Sequence, residues 1–179
     1  IPTYDRFGNA NSAMLFDDSY VDCNNALLTE TGDFTVNIWI YPDTLDGAIW
    51  SQCTFNTDNR IYGGIDESNG KAFLWYANSS ESVELVTSSS LEIKKWYMVT
   101  FVREGYTFKL YLDGVLQQSE TFTEGLILQK NFIIGAYDDA ITADVNFKGI
   151  IDDAGIYDTA LPQSDITNLY QENGWTGKL

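Results

Sequence analysis

Residues 96–116, WYMVTFVREGYTFKLYLDGVL, constrain the fold more than any other stretch. From Trp96 to Arg103 the side chains alternate. Trp96, Met98, Thr100 and Val102 share one face, and Tyr97, Val99 and Phe101 the other. Both faces are largely apolar, which predicts a central strand with packing on either side. Glu104-Gly105 turns the chain, residues 106–112 return, and Asp113-Gly114 turns it again. An Asp-Gly pair between alternating runs is a strong hairpin signal.

The same grammar extends over the chain. Further strands are predicted at 13–16, 20–23, 34–41, 48–53, 60–65, 71–77, 82–87, 115–121 and 132–137. With the closing strand described below they make about a dozen, at spacings of roughly 8–12 residues. In the strand at 34–41, Phe34, Val36, Ile38 and Ile40 face one way and Thr35, Asn37, Trp39 and Tyr41 the other. Gly63-Gly64 inside a strand predicts a bulge or a close backbone approach. Regular antiparallel strands joined by tight turns specify an all-β sandwich or barrel. A chain of 179 residues fits one such domain.

Charge and composition exclude whole classes of function. There are 26 acidic residues against 10 basic ones, for a formal charge of −16. Nucleic acids and anionic membranes both call for a basic face; a hard cation such as calcium, or simple solubility, suits an acidic surface. The chain has no His, which removes Ser-His-Asp and Cys-His catalysis and imidazole metal sites. Its two cysteines, Cys23 and Cys53, are read as a disulfide in an oxidising compartment or as two buried thiols. A bridge would close a loop of about 30 residues, stabilising by roughly 3–4 kcal/mol in the chain-entropy view. No run is long and apolar enough to predict membrane insertion.

The closing stretch, residues 147–170, reads FKGIIDDAGIYDTALPQSDITNLY. Its first half alternates as a strand, with Asp152, Ala154 and Ile156 on one face. Its second half is a short helix in which Ile166, Leu169 and Tyr170 fall at i, i+3 and i+4. Asp165 suits the helix N-terminus and Asn173-Gly174 a helix stop. This segment resembles the end of the laminin-G-like, concanavalin A-like jelly-roll domains. Three other stretches resemble the same family in the same order: GNANSAMLFD at 8–17, FTVNIWIYP at 34–42, and the hairpin at 96–116. The resemblance selects an antiparallel two-sheet jelly-roll sandwich with one short C-terminal helix, a single domain over 1–175, and a linker-like tail at 176–179. It also implies that Trp39 belongs to the sandwich core.

Candidate site residues follow from both readings. An inward carboxylate at Asp152 needs a partner. The resemblance implies a structural calcium there, where the last strand meets the first, with help from Asp17 or Asp18; the alternative is that Asp152 caps amides of the first loop. Asp138, Asp139 and Asp144, with Asn146, form either a second oxygen cage or a solvated acidic loop. Trp50, Trp75, Tyr76 and Tyr62 are candidate sugar platforms, since flat aromatics stack on pyranose C–H faces. Asn59 and Arg60, with Gln52, Asn56 and Asp58, would bond hydroxyls, although strand aromatics also serve as core. Trp175 reads as an anchor beyond the helix. Asn78-Ser79-Ser80 is a glycosylation sequon. The glucanases that resemble this fold carry E-x-D-x-x-E on one strand, and no such string occurs here. The expectation is therefore a non-catalytic carbohydrate-binding, lectin-like module of a larger secreted or cell-surface protein. The alternatives are an adhesion or spacer domain with a protein partner and, third, a glycoside hydrolase of the same fold.

Overall fold

A computed structural model describes residues 1–29, 31–53, 59–123, 130–137 and 146–175. The strands are β1 (Pro2–Thr3), β2 (Ala13–Phe16), β3 (Val21–Asp22), β4 (Phe34–Pro42), β5 (Gly47–Ser51), β6 (Arg60–Asp66), β7 (Lys71–Ala77), β8 (Ser82–Val86), β9 (Tyr97–Glu104), β10 (Thr107–Leu112), β11 (Val115–Thr121), β12 (Ile133–Ile134) and β13 (Gly149–Tyr157). Among the described residues one helix, α1 (Gln163–Tyr170), follows, and a 3-10 turn at Glu172–Gly174 leads to Trp175, the last of them. The strands form two sheets, β1-β2-β13-β4-β9-β10-β11 and β3-β12-β5-β6-β7-β8. Neighbours pair antiparallel, which is the jelly-roll sandwich expected.

The main core lies between the sheets. Phe34, Val36, Ile38 and Ile40 enter it from β4, Tyr97, Val99 and Phe101 from β9, and Ile61, Leu74, Tyr76 and Leu85 from the facing sheet. The other face of β9 is buried too. Met98 and Val102 join Trp39, Trp96, Tyr111, Ile166 and Trp175 in a second core beneath α1. Trp39 is thus buried as expected, but under the helix rather than between the sheets. Ile166 is wholly buried, with Leu169 and Tyr170 packed beside it, as the helical spacing requires.

Two bulges change which way side chains point. In β13 the pairing with β4 slips by one residue between Asp152 and Gly155, where Asp153 adopts a left-handed φ of 41°. Ile151 and Ile156, which strict alternation would set on opposite faces, therefore both pack on the main core. Asp152 turns to the face beneath the helix, opposite Trp39. In β5 the register slips between Ala48 and Trp50, so Ile49 and Trp50 both enter the main core. The facing strand makes room. A Cβ on Gly63 would lie 2.5 Å from the Phe101 ring and 2.6 Å from Trp50 Nε1, which is the close approach predicted for this pair.

The cysteine reading is corrected. Cys23 and Cys53 are not bridged. Strand β12 pairs with β3 on one side and β5 on the other, with both Asp22 and Ser51 opposite Ile133. The cysteines just beyond those positions are thus about two strand spacings, roughly 10 Å, apart. Disulfides close at Cα separations below about 7 Å. The strand predicted at 132–137 is reduced to β12 because Gly135, with φ 88°, turns the chain out of the sheet.

Candidate functional site

The outer face of the second sheet gathers most of the sugar-site candidates. Alternation along β6 puts Arg60, Tyr62, Gly64 and Asp66 outward; along β7 it puts Lys71, Phe73, Trp75 and Ala77 outward. In register, Trp75 stands between Tyr62 and Glu84, so these three side chains are cross-strand neighbours on one face. Trp75, Tyr62, Arg60 and Asn59 are half-buried and Glu84 is exposed. The Tyr62 ring meets Phe73 edge-on at 5.3 Å and Tyr137 at 4.5 Å. Arg60 Nη1 lies 3.5 Å from the Tyr137 hydroxyl. Cys53, at the rim, donates from Sγ to the Tyr137 carbonyl at 3.3 Å.

The electrostatics follow from partial burial. Desolvation, and then the neighbouring Tyr137, push the Tyr62 phenol well above its ordinary range. The hydrogen bond that Arg60 donates to the Tyr137 hydroxyl raises its pKa and holds the guanidinium charged. Burial, and then the charge of Asp66, raise Glu84. At neutral pH the face thus presents neutral phenols, an indole ring, one guanidinium and carboxylates. That set can stack on an apolar ring face and bond hydroxyls.

Two candidate platforms are corrected. Trp50 is 0% exposed, stacked on Phe132 at 5.3 Å. Tyr76 is 1% exposed and packs against Phe108 and Phe122. Both rings face the main core and offer no surface to a ligand. Gln52 is likewise inside, bonding the backbone of Leu27 and Leu28. Asn56, Asp58, Asp138, Asp139 and Asp144 lie outside the described residues.

The carboxylate at Asp152 does have a partner, and it is Arg6. Arg6 Nη1 donates to Asp152 Oδ2 at 2.8 Å and to Asp153 Oδ2 at 2.7 Å. Asp152 Oδ1 accepts the Asp153 backbone N–H at 2.9 Å. Burial, and then the charge of Asp153, raise the Asp152 pKa, with Arg6 opposing. A calcium ion shared with Asp17 or Asp18 does not fit. Ala13 is the next position of β2 after the Ile151–Met14 pair, and Asp17 lies beyond Phe16, the partner of Gly149. Asp17 is thus four residues, about 13 Å, along the strand from the level of Asp152. Asp18 instead faces the Lys148 ammonium at 3.3 Å. Among the described residues no three acidic, Cys or His side chains gather as a metal site. Arg6 was the residue missed. Its signal was present: it is the one Lys or Arg in the first 59 residues. Tyr137 and Glu84 were missed because only the tertiary fold brings them to the face, whereas Phe73 shares the face of Trp75 by alternation along β7.

Comparison with known proteins agrees with this architecture. Residues 16–167 match the family described as the concanavalin A-like lectin/glucanases superfamily, a laminin G type, and the chain belongs to that family. Among solved structures it is similar to domain 4 of AbnA, a GH43 extracellular arabinanase from Geobacillus stearothermophilus, in complex with arabinotriose. The TM-score is 0.75 at 23% identity, covering 89% of this chain and 76% of that one. The Ruminococcus gnavus IT-sialidase CBM40 bound to alpha2,3 sialyllactose superposes with a TM-score of 0.72 at 13% identity, covering 89% and 96%. A heptameric SAP-like pentraxin from Limulus polyphemus gives 0.65 at 21%, covering 83% and 75%. At these identities the likeness is one of fold. No curated protein matches the sequence. Among the described residues no helix is long and apolar enough to cross a membrane.

Proposed function

We propose that the protein is a non-catalytic carbohydrate-binding module of a larger secreted or cell-surface protein, and that it holds a glycan on the outer face of the second sheet. The observation that carries this reading is the half-buried Trp75 ring set in register between Tyr62 and Glu84, with Arg60 at the start of the neighbouring strand and Asn59 just before it. Trp75 would stack on the sugar ring, and Arg60, Asn59 and Glu84 would bond its hydroxyls. Similar solved domains, the arabinanase and sialidase modules, were each captured with an oligosaccharide, which supports the class and leaves the glycan to be identified. The described acids of this face, Asp66 and Glu84, sit on strands that are not neighbours and four residues apart in register. They do not flank a single bond as a glycosidase pair does.

A glycan array followed by titration with the best hit tests this. Trp75→Ala is expected to lower affinity at least about tenfold, with stability changed by no more than about 1 kcal/mol. Unchanged affinity in that variant would sink the site. A blank array with folded protein would move the reading to an adhesion domain with a protein partner.

A further inference from the structure

The family match ends at residue 167 and begins at residue 16. Four side chains outside it meet at one corner of the first sheet. Arg6 lies with its guanidinium carbon 4.4 Å from the Trp39 ring centroid and 4.5 Å from that of Phe7. Phe7 meets Trp175 edge-on at 5.9 Å. Trp175 meets Trp39 at 5.2 Å, and Tyr170 stacks on Trp39 at 5.6 Å with 10° between the planes. The first and last segments of the described chain are thus joined through one indole.

We propose that these ends form a clasp in which the Arg6 guanidinium takes the place at Asp152 that the family resemblance gives to calcium, so that this corner is held without a divalent ion. Four observations converge. Both carboxylate oxygens of Asp152 are already engaged, one by Arg6 and one by the Asp153 amide. The bulge at Asp153 returns a second carboxylate to the same Arg6 nitrogen. Asp17 is held away by the β2–β13 register. Last, Arg6 is 1% exposed while its Nε and Nη2 have no hydrogen-bond partner. A planar cation held by aromatic ring faces suits such a place, whereas a calcium ion would need six to eight oxygens.

The test uses thermal melts of the full chain and of Arg6→Met, Asp152→Asn and the double variant, each in chelator and in millimolar calcium. Arg6→Met is expected to lower the melting temperature by roughly 10 °C, because it leaves a buried carboxylate without its countercharge. The double variant is expected to melt above Arg6→Met, since the stranded charge is gone. Any difference between calcium and chelator is expected to be the same in the parent and in Asp152→Asn. Arg6→Lys, which keeps the charge and loses the planar stack, is expected to fall between parent and Arg6→Met, and it supplies the measurement if Arg6→Met does not fold. The proposal is overturned if Asp152→Asn abolishes a calcium-induced rise that the parent shows. It is equally overturned if Arg6→Met, or Arg6→Lys in its stead, melts with the parent in chelator.

Discussion

The two sheets bury one core between them and then diverge on their outer faces. The first sheet turns Trp39, Trp96, Met98 and Val102 outward and covers them with α1 and Trp175. The second turns Tyr62, Phe73 and Trp75 outward, and no helix among the described residues lies over them. Aromatic content alone does not separate a platform from a core. What separates them is whether another element is laid over the face, and among the described residues α1 and Trp175 are laid over the first sheet.

That contrast can be broken most forcefully at Trp39. Trp39→Ala removes the ring on which Arg6, Tyr170 and Trp175 converge. Denaturant unfolding is expected to show a loss of about 3–5 kcal/mol, while glycan affinity per folded molecule stays unchanged. A large fall in affinity with intact stability would mean that the two faces had been assigned the wrong way round. A smaller effect is expected at Gly63, on the inward side of the second sheet. Gly63→Ala drives a methyl into Phe101 and Trp50, at a cost of roughly 1–3 kcal/mol by overpacking. Wild-type stability in this variant would show slack beneath the platform.

The smallest effect sharpens the covered face through pH. Burial raises the Asp113 carboxyl pKa, against the Met98 amide that its Oδ1 accepts at 2.9 Å. A carboxylate raised in the fold contributes stability below its unfolded pKa, near 4, and loses it as pH rises through the folded value. Asp113→Asn keeps an acceptor and tolerates the left-handed φ of 51°. It is expected to gain about 0.5 kcal/mol at pH 7 and less at pH 4. An equal change at both pH values would show that the charge does not matter there.

Much of this was legible in the chain. The hairpins at 104–105 and 113–114, the two-faced β9 and the face of α1 all follow from periods of 2 and 3.6 that tertiary structure does not override. Period 2 also separates Trp75 from Tyr76, which as sequence neighbours must face opposite ways. Trp50 was not legible, because a one-residue bulge in β5 reverses its direction and a bulge carries no composition of its own. The Arg6–Asp152 pair spans 146 residues, so no local pattern encodes it. The cysteines misled for a topological reason: β12 arrives from late in the sequence and inserts between their strands.

The meeting of Phe7 with Trp175 has a mechanical consequence. Any longer polypeptide threaded through this domain enters and leaves at one corner, so the folded domain adds almost no reach along the thread. Between those two residues lies slack that would extend to roughly 570 Å if drawn out. A tension on the ends would peel the two-residue edge strand β1 from β2 and then load the ring contacts, one pair at a time, before it reached the rest of the first sheet. Intact, the domain hangs from its thread as a pendant; torn at that corner, it becomes a spool.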